Sequence, residues 1–237
     1  MMLRIPALLR PDEVRQCRQA LEQAPWQDGR ATAGPLAAQV KANLQLPLDS
    51  QAGQAIGNLI LDRLGASALF MSATLPLKVL PPRFNRYEGG GTYGNHIDNA
   101  IFTIPGTAIK VRSDVSTTVF LSEPDEYEGG ELVVEDTFGH QSVKLAAGDA
   151  IVYPGTSLHR VNPVTRGTRY ASFFWTHSLV ASDEQRRLLF DLDQQIQQLT
   201  RPRPIRAVRH VPQPVADVVA GLVAQPPGSR IRTCSGP

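Results

Sequence analysis

The chain has 237 residues, 42% hydrophobic and 19% charged, so it can bury a core as a single β-rich domain, alone or with an appendage. Its formal net charge of +2 is unevenly placed: residues 201–237 hold six arginines against Asp217, whereas the other 200 residues hold 18 Lys+Arg against 21 Asp+Glu. A mildly acidic body excludes a folded basic surface for nucleic acid, and Cys17 and Cys234, with no Cys-x-x-Cys spacing, exclude a disulfide framework and a thiolate metal site.

The opening text MMLRIPALLRPDE reaches Pro and charge too early for a signal-peptide core, and no later run approaches membrane-spanning length. A soluble, cytoplasmic protein is expected, with neither nucleic acid nor membrane as a partner. Pro11 to Leu21 carries Val14, Cys17 and Leu21 on one helical face; Ser50 to Leu64 carries Ile56, Leu59, Ile60 and Leu64 at helix spacing, closed by Gly65. From about Leu77 the pattern changes to short runs rich in Val, Ile, Thr, Phe and Tyr: KVLPPRFNRY, STTVFLS, GELVVED, HQSVKL, DAIVYP and RYASFFWTHSLV. Such closely spaced strands predict a sandwich or barrel. Gly129-Gly130 and Ala147-Gly148-Asp149 supply turn chemistry between runs, so much of the sheet is expected to be antiparallel.

Ser182 and Gln185 form a capping box ahead of Leu188, Leu189, Leu192, Ile196 and Leu199, an amphipathic helix expected to pack against the strands. Past Thr200 repeated prolines block regular structure. The expected organisation is one domain over residues 1–199, with a helical scaffold over about 1–76, a β core over about 77–180 and a helix over about 182–199. A divergent, disordered Pro/Arg-rich tail follows over 200–237.

In TYGNHIDNA, His96 and Asp98 are two apart, so an extended backbone points both to one face. Alone the pair is weak, a solvated loop being the alternative. His159, just after DAIVYPG, can supply a third ligand from across a barrel, and two imidazoles with one carboxylate suit Fe(II) while leaving positions open. Arg169 shares a strand face with Ala171, Phe173, Trp175 and His177. A guanidinium there needs an anion, which could be the distal carboxylate of 2-oxoglutarate; a solvated strand end beside Arg166 and Gly167 is the alternative. Tyr87 and Tyr93 flank the metal motif and either hydroxyl could reach a co-substrate, against packing with a hydrogen-bonded tip. His140 reads as an exposed hairpin residue, and Arg112 with Asp114 as a surface pair or a substrate contact.

Four stretches together resemble the bacterial PKHD-type hydroxylases, relatives of prolyl and lysyl hydroxylases among the Fe(II)/2-oxoglutarate dioxygenases. They are DGRATAGPLAAQVKANLQ, FNRYEGGGTYGNHIDNAI, RSDVSTTVFLSEPDEYEGGELVVEDTFGHQSVKLAAGDAIVYPGTSLHRVNPVTRGTRYASFFW and LLFDLDQQIQQL, reaching over about residues 3–199. The resemblance implies a mainly β fold with flanking α, a double-stranded β-helix or jelly roll. It also implies Fe(II) on His96, Asp98 and His159, 2-oxoglutarate on Arg169 with Tyr87 as a further contact, and L-ascorbate. Two departures stand out: His177 where the resemblance leads one to expect Gln, on the Arg169 face, and no Tyr-His-Asn-Leu-Leu-type motif after Leu199, as from a frameshifted or divergent C-terminus. The expected activity is hydroxylation of a small molecule or peptide with release of succinate and CO₂, by a chain free to form a homo-oligomer. From the residues alone a non-enzymatic metal- or ligand-binding barrel stays open, as does a zinc hydrolase.

Overall fold

Strand and helix boundaries come from a computed structural model that describes residues 1–32, 38–104, 106–136 and 139–200, the side chains of Ala31 and Thr32 excepted. In chain order the first half holds β1 (Leu3–Ile5), α1 (Pro11–Glu22), β2 (Gln27–Asp28), β3 (Lys41–Ala42), β4 (Leu44–Gln45), α2 (Gln51–Ala66), α3 (Ala68–Thr74), β5 (Pro76–Val79), β6 (Arg83–Glu88) and β7 (Thr92–His96). The remainder holds β8 (Ile101–Thr103), β9 (Lys110–Arg112), β10 (Val115–Phe120), β11 (Tyr127–Gly129), β12 (Leu132–Asp136), β13 (Gly139–Val143), β14 (Ala150–Pro154), β15 (His159–Val161), β16 (Val164–Ser178) and α4 (Asp183–Thr200).

The two expected scaffold helices form for the reasons their sequences give. Pro11 sits in the first turn of α1 and the Arg10 N–H donates to the Glu13 carboxylate at 2.9 Å, so the terminus is capped, while Val14, Cys17 and Leu21 are buried. Ser50 caps α2 by accepting from the Gly53 N–H at 3.3 Å, and the helix runs on past Gly65 to Ala66. Helix α3, capped by Ser67, was not expected; its seven residues are too few to show a period.

Two antiparallel sheets carry the core. The larger runs β1-β14-β10-β16-β6-β4-β2, with β5 and β11 also pairing to β16; the smaller runs β13-β12-β15-β7-β3, and β8 pairs with β9. This is the mainly β, helix-flanked jelly roll expected. Central strand β10, VSTTVF, is buried along its whole length, as a strand covered on both faces must be. On one face of the larger sheet Phe84, Val119, Tyr170 and Phe174 join Leu21, Ile60 and Leu64 of the helices. A second cluster includes Tyr87, Phe120, Leu132, Tyr153 and Val161, contributed by both sheets.

The run KVLPPRFNRY divides into β5 and β6, because Pro81 and Pro82 offer no N–H to a ladder. Conversely RYASFFWTHS, all but the last two residues of the expected run, lies within the longer β16, whose 15 residues start at Val164. Both expected glycine turns are required sterically. Gly129 has φ +70° and a Cβ there would sit 2.0 Å from the Pro163 carbonyl oxygen; at Gly148, φ +93°, it would meet the Leu9 carbonyl oxygen at 2.6 Å.

Contacts divide the chain into Met1–Arg187 and Leu188–Pro237. Sheets, cores and cavities described here belong to the first unit; of the second, Leu188–Thr200 is the continuation of α4. Ser182 accepts from the Gln185 N–H at 3.3 Å, as the capping box predicts. Residues 201–237 of the expected tail lie outside the described residues. Among the described residues no helix is long and apolar enough to cross a membrane.

Candidate active site

Strand pairing brings the metal candidates together. β15 runs antiparallel to β7 with His159 opposite His96, and Asp98 lies two residues beyond, just past the end of β7. The three ligand atoms fall within 4.8 Å of one another, with Asp98 at 3.9 Å from His96 Nε2 and 3.8 Å from His159 Nε2.

The surroundings prepare each ligand. His96 Nδ1 faces the Gly94 carbonyl oxygen at 2.8 Å and His159 Nδ1 faces that of Ser157 at 3.0 Å. A ring nitrogen against a carbonyl must carry its proton, which leaves both Nε2 lone pairs turned to the shared centre. Burial, and next the neighbouring His159, push the His96 imidazole down to about 4, so it is neutral and able to ligate at neutral pH. The Ser116 hydroxyl donates to Asp98 Oδ2 at 2.7 Å and fixes that carboxylate. Tyr93 stacks on His96 at 3.6 Å between centroids, so its ring braces the ligand.

Triad and Arg169 line one cavity, to which both sheets contribute. Arg169 is 2% exposed, and its guanidinium lies 5.3 Å from the Tyr87 ring and 5.4 Å from that of Phe120. Among the described residues no carboxylate lies in ion-pair reach of it, and its Nε has no hydrogen-bond partner. A buried charge in that condition is costly, and a guanidinium lining a cavity beside three candidate metal ligands fits a carboxylate ligand. Tyr87 stands opposite Arg169 in the β6–β16 register and is buried. Its hydroxyl accepts from Asn85 Nδ2 at 3.1 Å, and Asn85 accepts from Gln45 Nε2 at 2.7 Å. Burial raises the pKa of Tyr87, so the phenol keeps its proton.

Of the remaining candidates, Ala171, Phe173 and Trp175 line the cavity as the alternation requires, but His177 does not. It lies opposite Lys78, where the strand has passed the cavity, so the expectation that it shapes the lining is corrected. His140 is exposed on the β12–β13 hairpin. Arg112 and Asp114 pair at 2.9 Å, and Asp114 also accepts from the Ser178 N–H at 2.9 Å, which ties β16 to the segment beside the triad. Ser116, Asn85, Gln45 and Arg83 were not singled out from sequence. Arg83, Asn85 and Tyr87 alternate on β6, and that Arg-x-Asn-x-Tyr spacing was the available signal.

Comparison with known proteins agrees with this geometry. Residues 82–177 match the model of the 2OG-Fe(II) oxygenase superfamily, and residues 183–209 that of the PKHD-type hydroxylase C-terminal domain. A PKHD-type hydroxylase of Delftia acidovorans is 90% identical over 221 residues, 93% of this chain and 95% of that protein. The chain belongs to the PKHD-type hydroxylase family. The C-terminal match carries the family likeness ten residues past Leu199. Membership makes the chain a 2-oxoglutarate-dependent oxygenase using Fe(II) and 2-oxoglutarate, which decides between enzyme and binding barrel in favour of the enzyme.

Solved structures share the fold at low identity. A Pseudomonas putida prolyl-4-hydroxylase is 21% identical with a TM-score of 0.50, covering 75% of this PKHD-type chain and 92% of that one. HygX of Streptomyces hygroscopicus, with nickel, 2-oxoglutarate and hygromycin B bound, is 18% identical with a TM-score of 0.51, covering 74% and 82%. One is named for prolyl residues and the other holds hygromycin B, so this fold does not dictate a substrate.

Proposed function

We propose that the chain hydroxylates a small-molecule or peptide substrate in the cytoplasm, with release of succinate and CO₂. His96, Asp98 and His159 would hold Fe(II), and Arg169 with Tyr87 would bind the far carboxylate of 2-oxoglutarate. The observation that carries this reading is a His-Asp-His cluster sharing one cavity with a buried arginine that has no carboxylate partner among the described residues. Bound iron supplies activation of O₂ coupled to decarboxylation of 2-oxoglutarate, one oxygen atom going to succinate and the other to a substrate C–H bond.

The chain's own groups bind, orient and exclude water. Arg169 presents planar donors for two carboxylate oxygens, and the Tyr87 hydroxyl, held from behind by Asn85, adds a third. Leu132 and Tyr153, both buried, line the cavity and limit the water inside it. Ser116 holds the Asp98 carboxylate in place as one of the three groups that would bind the iron. Ascorbate as a supporting reductant belongs to the same proposal.

The test is anaerobic reconstitution with Fe(II), followed by O₂, 2-oxoglutarate and ascorbate, with succinate measured by mass spectrometry for wild type and His96→Ala. Succinate that requires both iron and His96 is expected. A protein with stoichiometric iron that forms none, or a His96→Ala variant that forms as much as wild type, would overturn the proposal.

A further inference from the structure

We infer that Arg83 is an anion receptor on the cavity lining and that the primary substrate is a carboxylic acid whose apolar part packs on Phe102 and Trp175. The inference deepens the proposed function and rests on it, because it assumes that Arg169 is taken by 2-oxoglutarate.

Arg83 opens β6 and lines the same cavity as the triad, on the strand face shared with Asn85 and Tyr87. Its guanidinium carbon lies 5.2 Å from the Trp175 ring centroid and 5.7 Å from that of Phe102, while the two rings stack at 4.0 Å. Contact with aromatic faces leaves the in-plane N–H groups of a guanidinium free, and those are the donors that clamp a carboxylate. Among the described residues no carboxylate pairs with Arg83, and burial pushes its pKa down. The internal residues outside the description, 33–37, 105 and 137–138, contain neither Asp nor Glu. A half-buried cation on the lining of an enzyme cavity, without a counter-charge among the described residues, is what an anionic ligand would complete.

The charge of the whole cavity points the same way. Lys41, Arg83 and Arg169 face one carboxylate, Asp98, across the lining. Lys41 is close enough to Arg83 for their repulsion to lower its pKa, after burial, to about 8. Fe(II) and the 2-oxoglutarate dianion would cancel one another, so the lining of the loaded cavity would keep an excess of cationic over anionic side chains, which favours an anion. Apolar surface lies alongside: Phe102 and Trp175 form the stacked wall, and Ile97, on the lining, is 57% exposed. An acid with an apolar segment matches both features, whereas a cationic substrate fails the first and a fully polar one the second.

The probes are 3-phenylpropionate and its neutral amide, 3-phenylpropanamide. Each is titrated anaerobically into protein carrying Fe(II) and saturating 2-oxoglutarate, with calorimetry and tryptophan fluorescence as readouts. Saturating 2-oxoglutarate blocks Arg169, so binding there cannot imitate binding at Arg83. The acid should bind at least about tenfold tighter than the amide, the lower end for a hydrogen-bonded charge. Arg83→Gln should remove the preference, and Arg83→Lys, which keeps the charge without the fork, should retain part of it. Failure of the acid to bind wild type, equal affinities for acid and amide, or a preference that survives Arg83→Gln would each overturn the inference. Binding of 2-oxoglutarate to the iron-loaded wild type, measured first, tests the proposed function separately: its absence sinks that reading, while its presence without an acid preference sinks the Arg83 inference alone.

Discussion

Arg169 and Arg186 are equally hidden, each 2% exposed, yet their surroundings differ in kind. The Arg186 guanidinium, in the first turn of α4, donates to the carbonyl oxygens of Val180 at 2.7 Å, Ala181 at 2.9 Å and Asp114 at 3.3 Å. It also reaches the Asp183 carboxylate at 3.1 Å. Its charge and its donors are met inside the protein, and it pins the start of the helix to the segment that carries Asp114. Arg169 has aromatic rings about it, no carboxylate partner among the described residues and an unpaired Nε. Burial of an arginine therefore says little by itself. An unpaired Nε on an arginine of the cavity lining fits the ligand role proposed for Arg169, whereas Arg186 is satisfied by the fold.

The contrast can be broken most directly by replacing each arginine with methionine, which preserves apolar bulk. Arg169→Met should weaken 2-oxoglutarate binding by about 2–5 kcal/mol, roughly 30-fold or more, because one partner of a buried charge pair is gone. Without 2-oxoglutarate the same variant should melt at or above the wild-type temperature, since an unpaired buried charge has been removed. Calorimetric titration and thermal melts check both, and a large fall in melting temperature would place Arg169 with Arg186 as a structural residue. Arg186→Met should behave in the opposite way. Stability should fall by about 3 kcal/mol as its carbonyl and carboxylate partners lose their donor, with 2-oxoglutarate affinity held within about twofold. A melt that matches wild type would remove the structural role.

The same contrast explains what could be read from the sequence. His96 and Asp98 were legible because spacing of two is a local property, and Arg169 because alternation along one strand put it beside Phe173 and Trp175. The helices with Val14, Cys17, Leu21 and Ile60 were legible from period alone. Ser116, Asn85 and Gln45 were not, because each reaches the site through pairing between distant segments: β4 with β6, β10 with β16. Nothing local marks a serine on an all-buried strand as the residue that holds Asp98. Arg186 was missed for a related reason, since its acceptors are backbone carbonyls, which any sequence provides. His177 shows the converse error: alternation placed it on the correct face, but alternation does not say where along the strand the cavity stops.

Arg63 and Glu13 make an intermediate case that sharpens the comparison at its weak end. The Glu13 side chain is 4% exposed and that of Arg63 35%, so one partner is hidden and the other half in water. Arg63 Nε donates to Glu13 at 2.9 Å, and Arg10 adds a second cation at 3.1 Å. The hydrogen bond from Arg63 holds the Glu13 carboxyl below its ordinary value of 4.5. A depressed folded-state pKa means stability that is fully present above the unfolded value and is lost as pH falls through the folded one. Glu13→Gln keeps the shape and removes the charge, so it should destabilise by about 1 kcal/mol at pH 7, the range for a pair screened on one side. Below the folded pKa the two proteins should converge, because wild type is then protonated at the same position. Denaturant melts at pH 7 and pH 3 measure the difference. A gap that persists unchanged at pH 3 would mean that Glu13 acts through packing and its cap on α1 rather than through charge, which would set it apart from Arg186, whose partners are mostly uncharged carbonyls and whose contribution should vary little over that range.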